Sequence, residues 1–209
     1  GTKPQVDRLL EDKAVRAISF VGSCGVGAYI YSKGTQNLKR VQACVGAKNH
    51  MVIMPDADKE TVMNALVGAT VGAAGQRCMA ISVIVFVGET RSWVNELKEK
   101  LAQVKPGIWN KPESAYGPLI SPQAKQRVAG LIQTGIDQGA NCLLDGRDIN
   151  IADFPNGNWL GPTLFSDVST DMDIYKQEIF GPVVCCINVD NLEEAISLVN
   201  NSPYGNGTS

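Results

Sequence analysis

The chain has 209 residues, of which 44% are hydrophobic and 19% charged, a composition typical of an α/β protein with a sizeable core. Its formal net charge of −2 argues against nucleic acid as a partner, because no basic stripe is present to neutralise phosphates. No apolar run reaches the length of a membrane span, so we also expect no membrane partner.

The cysteine and histidine content argues against several further classes of protein. The six cysteines form no Cys-x-x-Cys pair, and the only histidine is His50. A disulfide scaffold and a structural zinc site are therefore both unexpected, and a reducing compartment is the simpler inference. A hydrolase with a catalytic Ser-His or Cys-His pair would have to use His50, and we expect that it does not.

Apolar runs that alternate with helical patterns predict an α/β fold whose sheet is mainly parallel and flanked by helices. In the first half, Gly34 is a position at which a helix could break, and acidic residues after Pro55 suit the start of another helix. The predicted elements are a strand over 15–22, a helix over 25–39, strands over 40–45 and 51–54, a helix from 55 that continues towards 78, and a strand over 81–87.

The second half continues the same alternation of helices and strands. Pro122 stands at a favoured first-turn position of a helix, and Gly139 closes that helix. The predicted elements are helices over 92–104 and 121–138, a strand over 141–145, a loop over 156–162, strands over 163–165 and 183–189, and a helix over 192–200.

One cysteine, Cys78, lies between a small-residue segment and a predicted core strand, directly after Arg77. A neighbouring cation favours the thiolate, which is the nucleophilic form of cysteine. These local features leave two interpretations open: Cys78 is a nucleophile, or it is a small buried hydrophobic residue, which is the commoner role.

The segment Phe20–Gly27, Phe-Val-Gly-Ser-Cys-Gly-Val-Gly, has the pattern of a strand, a glycine turn and a helix start. The free amide groups of a helix N-terminus suit a pyrophosphate. However, the glycine spacing is not that of the Gly-x-Gly-x-x-Gly dinucleotide fingerprint. By itself, the segment therefore indicates a tight turn more than a phosphate site.

Three segments in this order, Phe20–Gly27, Gly75–Ala80 and Glu178–Val183, resemble the aldehyde dehydrogenase superfamily. The resemblance is strongest to its CoA-acylating methylmalonate-semialdehyde dehydrogenase branch, whose motifs appear in Ala43–His50 and Asn200–Thr208. The similarity covers essentially the whole chain, yet members of the family are more than twice as long, which implies a fragment.

The resemblance also implies a domain organisation. Residues 1–47 would be the C-terminal half of a Rossmann-like NAD-binding domain. Residues 48–209 would be a catalytic domain that is truncated at its C-terminus. The fragment alone is then expected to be inactive.

The family's site residues can be carried over to matching positions of this chain. The resemblance implies that Cys78 is the catalytic nucleophile and that NAD is the cofactor. Gly22 and Ser23, with the neighbouring backbone, would meet the cofactor diphosphate. Val45 would offer its backbone carbonyl to the nicotinamide amide.

Glu178 and Phe180 belong to the segment Glu-Ile-Phe-Gly-Pro, which precedes a predicted strand. Without the family, they are better interpreted as a solvated glutamate and a core phenylalanine. By resemblance, the Glu178 carboxylate would bond the nicotinamide ribose hydroxyls, and Phe180 would pack beside that sugar.

Position 44 departs from the family's usual pattern. Most aldehyde dehydrogenases have Glu-Leu-Gly-Gly-Lys there, and the glutamate activates the water that hydrolyses the thioester. This chain has Cys44-Val-Gly-Ala-Lys. Without that base water attack should be slow, whereas a thiol such as coenzyme A attacks a thioester well. An alternative is that Cys44 fills core space and another group serves as the base.

The resemblance therefore implies that the full-length protein oxidises methylmalonate or malonate semialdehyde with NAD through a cysteine thioester. The acyl group would pass to coenzyme A, with propionyl-CoA or acetyl-CoA as product after loss of carbon dioxide. Both substrates carry a carboxylate, which the guanidinium of Arg77 would bind unless Arg77 is only a surface or ion-paired side chain.

Two alternatives to this activity are a hydrolytic NAD(P)-dependent aldehyde dehydrogenase that releases free acid and a catalytically silent domain. We expect a homo-oligomer when the protein is full length. Its location would be the cytoplasm of a bacterium or the mitochondrial matrix of a eukaryote.

Overall fold

The computed structural model of the protein describes residues 2–209, and the chain divides into two compact units between Gly46 and Ala47. The predicted domain boundary lies one residue later, after residue 47. The functions that the resemblance implies for the two domains remain predictions.

The first unit, Gly1–Gly46, is built around one parallel strand pair. Strands β1 and β2 lie side by side, with helix α2 as the connection between them. Leu10 and Ile30 are its most deeply buried apolar side chains. The elements in chain order are α1 (Lys3–Glu11), β1 (Ala17–Val21), α2 (Cys24–Gln36) and β2 (Arg40–Cys44).

Two features of this unit differ from the sequence-based expectation. Helix α1 is not predicted, although Thr2 and Gln5 form a capping box and Pro4 occupies its first turn. Gly34 does not break α2 but lies buried inside it. A Cβ at position 34 would be 2.6 Å from Val41 Cγ2, so glycine here allows the helix to pack closely on β2.

The second unit, Ala47–Ser209, contains a five-stranded sheet in the order β3-β4-β7-β6-β5. All neighbouring strands are parallel except β5, which pairs antiparallel with β6. The strands are β3 (Asn49–Ile53), β4 (Ile81–Val87), β5 (Asn141–Leu144), β6 (Thr163–Ser166) and β7 (Val183–Val189). The α-helices are α3 (Lys59–Val71), α4 (Val94–Ala102), α5 (Pro122–Asp137), α6 (Asp173–Lys176) and α7 (Leu192–Asn200). The predicted α/β class with a mainly parallel sheet is confirmed.

The core of the second unit lies on strands β4 and β7. Val83 to Phe86 have no exposed surface, and the adjacent Cys185 and Cys186 are both buried. Because successive strand residues point to opposite faces, the burial of both cysteines means that β7 is covered on both faces. Burial also raises the pKa of both thiols.

Two predicted helices have different bounds. The Asp58 side chain caps α3 by accepting from the Thr61 amide at 2.9 Å, so the helix begins after the acidic residues and not at Pro55. It ends at Val71 and does not continue to Cys78. The predicted helix over 92–104 is a 3₁₀ turn, Gly88–Trp93, followed by α4.

The last residues of the chain lie along the outer edge of β3. Thr208 pairs in parallel with His50. The Ser209 amide donates to the His50 carbonyl at 3.1 Å, and the Val52 amide donates to the Ser209 carbonyl at 2.7 Å. This pairing fixes residues 206–209 beside the sheet. No helix within residues 2–209 is long and apolar enough to cross a membrane.

Candidate active site

Cys78 lies in a tight loop, residues 72–80, between α3 and β4. The loop turns sharply because Ala73, Ala74 and Gly75 have φ values of 52°, 56° and 65°. Such values are uncommon for residues with a side chain. Cys78 itself is exposed, so its burial as a small hydrophobic residue is excluded by the structure. No described residue accepts a hydrogen bond from its backbone N–H.

Gly75 fixes the Cys78 loop against the segment that follows Glu178. A Cβ at position 75 would be only 2.2 Å from the carbonyl oxygen of Gly181. Together with its positive φ, this contact means that only glycine fits at this position without a backbone shift. The two predicted motifs, Gly75–Ala80 and Glu178–Val183, are therefore in direct backbone contact.

Replacing Gly75 by alanine in the full-length protein should lower the free energy of unfolding by about 2 kcal/mol or more, through backbone strain and the clash with Gly181. Thermal unfolding measures this loss as a lower melting temperature. Gly130→Ala is the matched control, because a Cβ there meets nothing within 4 Å. On the exposed face of α5 it should stabilise by about 0.8 kcal/mol. Equal melting temperatures for both variants would contradict the conclusion that only glycine fits at position 75.

Two asparagine side chains hold the backbone of the predicted nucleophile. The carbonyl oxygen of Cys78 accepts from Asn49 Nδ2 at 2.8 Å and from Asn206 Nδ2 at 2.7 Å. Sequence reasoning missed both residues, because positions 49, 78 and 206 have no spacing that connects them. The strand pairing of β3 with β4 and with residues 208–209 brings them together.

Glu178 and Phe180 lie in a braced loop. Glu178 Oε1 accepts from the Ala47 amide at 3.2 Å, and Oε2 takes no hydrogen bond from any residue that the structure describes. Arg127 donates to the carbonyls of Glu178 (3.2 Å) and Ile179 (2.6 Å). Phe180 has a φ of 53° and its side chain is 39% exposed, so it is not a core residue.

Lys48 supports the same loop from inside the unit. Its side chain is 2% exposed, and Nζ donates to the carbonyls of Ile174 at 2.5 Å and Gln177 at 2.8 Å. Burial lowers the pKa of this amine. The two hydrogen bonds therefore anchor the chain just ahead of Glu178, a contribution that the sequence pattern did not reveal.

Arg77 is held by the end of helix α3. Its Nη2 donates to the carbonyls of Gly68 at 2.7 Å and Ala69 at 3.3 Å, in the last turn of the helix, where the helix dipole attracts cations. Nε and Nη1 make no hydrogen bond within residues 2–209. Part of the guanidinium thus remains available to a carboxylate, and its substrate role stays a prediction.

Four predicted site residues line one small cleft of the second unit: Arg77, Cys78, Glu178 and Phe180. The space within the cleft is about 20 Å³, room for about one water molecule. The thiol and the carboxylate therefore share one open surface. The described residues contain no cluster of His, Cys, Asp and Glu that could hold a metal ion.

The other three predicted residues gather at one end of the first unit. Gly22 and Ser23 follow β1, and Val45 follows β2, so all three lie at the carboxyl ends of the two parallel strands. The Gly22 amide donates to the Cys44 carbonyl at 3.1 Å. Ser23 is the N-cap residue of α2, but its side chain makes no capping hydrogen bond. The amides of the first turn are thus not capped by this side chain.

Comparison with known proteins agrees with these motifs. Residues 1–209 match the Aldehyde dehydrogenase family. Human methylmalonate-semialdehyde/malonate-semialdehyde dehydrogenase [acylating], mitochondrial, is 50% identical over 209 residues, which are 100% of this chain and 39% of that protein. The chain therefore spans about two fifths of the length of the curated relatives it matches.

Solved structures give the same result. A structure from Sinorhizobium meliloti, determined with NAD and assigned as a methylmalonate-semialdehyde dehydrogenase, superposes with a TM-score of 0.96 at 45% identity. The superposition covers 100% of this chain and 43% of that structure's chain. The enzyme of that name from Oceanimonas doudoroffii gives a TM-score of 0.96 at 40% identity with the same coverage. From its sequence, its fold and the arrangement of Cys78 and Glu178, this chain belongs to the aldehyde dehydrogenase family.

Proposed function

We propose that the full-length protein oxidises methylmalonate or malonate semialdehyde with NAD and transfers the acyl group to coenzyme A. The observation that carries this proposal is the exposed Cys78, anchored in a cleft that it shares with Glu178. The relatives named as acylating methylmalonate-semialdehyde dehydrogenases, at about 50% identity, support this substrate class.

The residues present suit NAD in both units. In the second unit, Glu178 Oε2 is an open acceptor for ribose hydroxyls, and the exposed ring of Phe180 offers an apolar surface beside it. In the first unit, the N-terminal turn of α2 offers free amides to a diphosphate. A Cβ at Gly25 would meet nothing within 4 Å, so the approach to this turn is open.

We assign Gly22, Ser23 and Val45 of the first unit, and Glu178 and Phe180 of the second unit, to NAD binding. When bound, NAD supplies the hydride acceptor of the reaction. The contribution of this chain is to hold the diphosphate, the nicotinamide amide and the ribose by these five residues. The domain assignment follows: residues 1–47 contribute to NAD binding and residues 48–209 to catalysis.

The chemistry on this chain takes place at Cys78. The thiolate Sγ bonds to the aldehyde carbon, and the carbonyl oxygen becomes an oxyanion that the free N–H of Cys78 is suited to stabilise. Loss of hydride from the resulting thiohemiacetal, for which bound NAD would be the acceptor, leaves a thioester on Sγ. The carboxylate of the bound malonyl or methylmalonyl group leaves as carbon dioxide and a proton takes its place, which gives the acetyl or propionyl thioester. The thiol of coenzyme A then loses its proton to solvent and attacks the thioester carbon, and Cys78 leaves as thiolate.

The residue at position 44 indicates whether water or coenzyme A takes the acyl group from Cys78. Cys44 is exposed at the end of β2, so the alternative in which it only fills core space has no support. A cysteine cannot replace the carboxylate base that would activate water, and coenzyme A needs no such base. We therefore favour thiolysis over hydrolysis.

The remaining partners are proposed from the same family membership. The substrate is a small aldehyde with a carboxylate, for which Arg77 keeps free donors. Eukaryotic relatives are named mitochondrial, so we place a eukaryotic protein in the matrix and a bacterial one in the cytoplasm. We propose a homo-oligomer that binds neither nucleic acid nor membrane.

Product analysis of the full-length protein tests the activity. With methylmalonate semialdehyde, NAD and coenzyme A, we expect propionyl-CoA, carbon dioxide and NADH in equal amounts. Without coenzyme A, turnover should stop after about one NADH per site. Free acid formed at the same rate with and without coenzyme A would support the hydrolytic alternative instead. Absence of any turnover would support a silent domain.

A further inference from the structure

The amide groups of Asn49 and Asn206 form a connected unit around one backbone carbonyl. Both Nδ2 atoms donate to the carbonyl oxygen of Cys78, and Asn206 Nδ2 also lies 3.0 Å from Asn49 Oδ1. Asn49 Nδ2 reaches the carbonyl of Ala80 as well, at 3.0 Å. Asn49 is 2% exposed, so this unit joins the Cys78 loop to the buried part of strand β3.

The carbonyl is the only polar group of Cys78 that has a hydrogen-bonding partner within residues 2–209. The Sγ and the N–H of Cys78 make no hydrogen bond with any described residue, and the side chain is exposed. Fixing the carbonyl fixes the plane of the Cys78–Met79 peptide, which includes the Cα atom of Cys78. The two asparagines therefore hold the Cα atom of Cys78, and with it the start of the Cα–Cβ bond that carries Sγ, in place relative to the cleft.

Asn206 adopts an unusual backbone conformation to make this contact. Its φ is 91°, outside the common regions for residues with a side chain. The pairing of Thr208 and Ser209 with β3 holds the segment in this conformation. Strain of this kind persists where the surrounding structure fixes it, and it is found preferentially at functional sites.

We propose that Asn49 and Asn206 are positioning residues for the nucleophile. They hold the Cys78 carbonyl so that the thiol and the N–H of Cys78 meet the same aldehyde group, Sγ at carbon and N–H at oxygen. This inference rests on the proposed function only in that Cys78 is the nucleophile. It does not depend on the identity of the aldehyde or of the acyl acceptor.

Two substitutions of Asn206 distinguish hydrogen-bond donation to the Cys78 carbonyl from simple packing of the side chain. Asn206→Asp keeps the shape but replaces the donor with a carboxylate, which repels the Cys78 carbonyl. Asn206→Gly keeps the backbone conformation but removes the side chain. If donation matters, the aspartate variant should be at least as slow as the glycine variant. If the side chain only fills space, the aspartate variant should retain the wild-type rate.

The measurement is the rate of the first NADH turnover in the full-length protein with propionaldehyde and NAD. We expect Asn206→Asp and Asn49→Ser to lower it about 10-fold, with KM for aldehyde changed by less than about twofold. Asn201→Asp is the matched control, since Asn201 is exposed and its amide contacts Ser197 rather than Cys78. It should react at the wild-type rate.

Three outcomes decide the inference. A wild-type rate in both Asn206→Asp and Asn49→Ser, with an active wild-type protein, overturns the positioning role and leaves the proposed function intact. An equal loss in Asn201→Asp also overturns it, because the effect would then be one of surface charge. A wild-type protein that oxidises no aldehyde overturns the proposed function itself.

Discussion

Exchange of Cys78 for alanine in the full-length protein should lower aldehyde-dependent NADH formation by at least about 10³-fold, because no covalent intermediate can form without the thiolate. NAD affinity should stay close to that of the wild type, since the open carboxylate oxygen of Glu178 and the α2 terminus are unchanged. Initial NADH rates and a calorimetric NAD titration measure the two quantities.

The control for this exchange is Cys142→Ala. Cys142 is half-buried in β5, and burial raises the pKa of its thiol, so it has neither the exposure nor the cleft of Cys78. Its loss should leave the NADH rate within about twofold of the wild type. A Cys142→Ala variant as inactive as Cys78→Ala, or an active Cys78→Ala variant, would refute the assignment of the nucleophile.

Exchange of Cys44 for glutamate should shift the acyl-enzyme from thiolysis towards hydrolysis. A carboxylate at this position is the usual water-activating base of the family, and a restored base with suitable geometry should accelerate water attack about 10²-fold. Free acid and acyl-CoA are quantified for the full-length wild type and variant over a range of coenzyme A concentrations.

Cys44→Gln is the matched control, because glutamine has the size of glutamate but cannot act as the base. It should show no gain in free acid. Cys44 is exposed at the end of β2, so the longer side chain causes no core clash within the first unit. If the wild-type protein already hydrolyses its acyl-enzyme as fast as coenzyme A removes the acyl group, the interpretation of Cys44 is wrong, whatever the variants do.

Regular elements of this chain could be predicted from its sequence because their periodicity is strong. The continuous apolar runs at 81–87 and 183–189 are indeed the buried neighbours β4 and β7. The end of α3 could not be predicted, since Ala73 and Ala74 have good helix propensity. Both residues instead have positive φ values, just before the point where Gly75 approaches Gly181, and local sequence does not encode that contact.

In the candidate site too, residues that belong to a local sequence motif could be predicted, and residues that act through long-range contacts could not. Cys78 and Glu178 were found because each lies in a motif with a recognisable order. Asn49, Asn206 and Lys48 were missed because each acts on backbone groups that are far away in sequence. Only the pairing of strands brings these donors to their acceptors. Side chains that hold a backbone carbonyl leave no spacing signal of their own.

The most direct test of the account is to trap the acyl group on this chain. Full-length protein is mixed with NAD and methylmalonate semialdehyde without coenzyme A, and its peptides are analysed by mass spectrometry. We predict an acyl adduct on Cys78, which disappears on addition of coenzyme A as an equal amount of acyl-CoA forms. NADH formation with an adduct on another residue, or with an adduct on Cys78 that coenzyme A does not remove, would contradict the account.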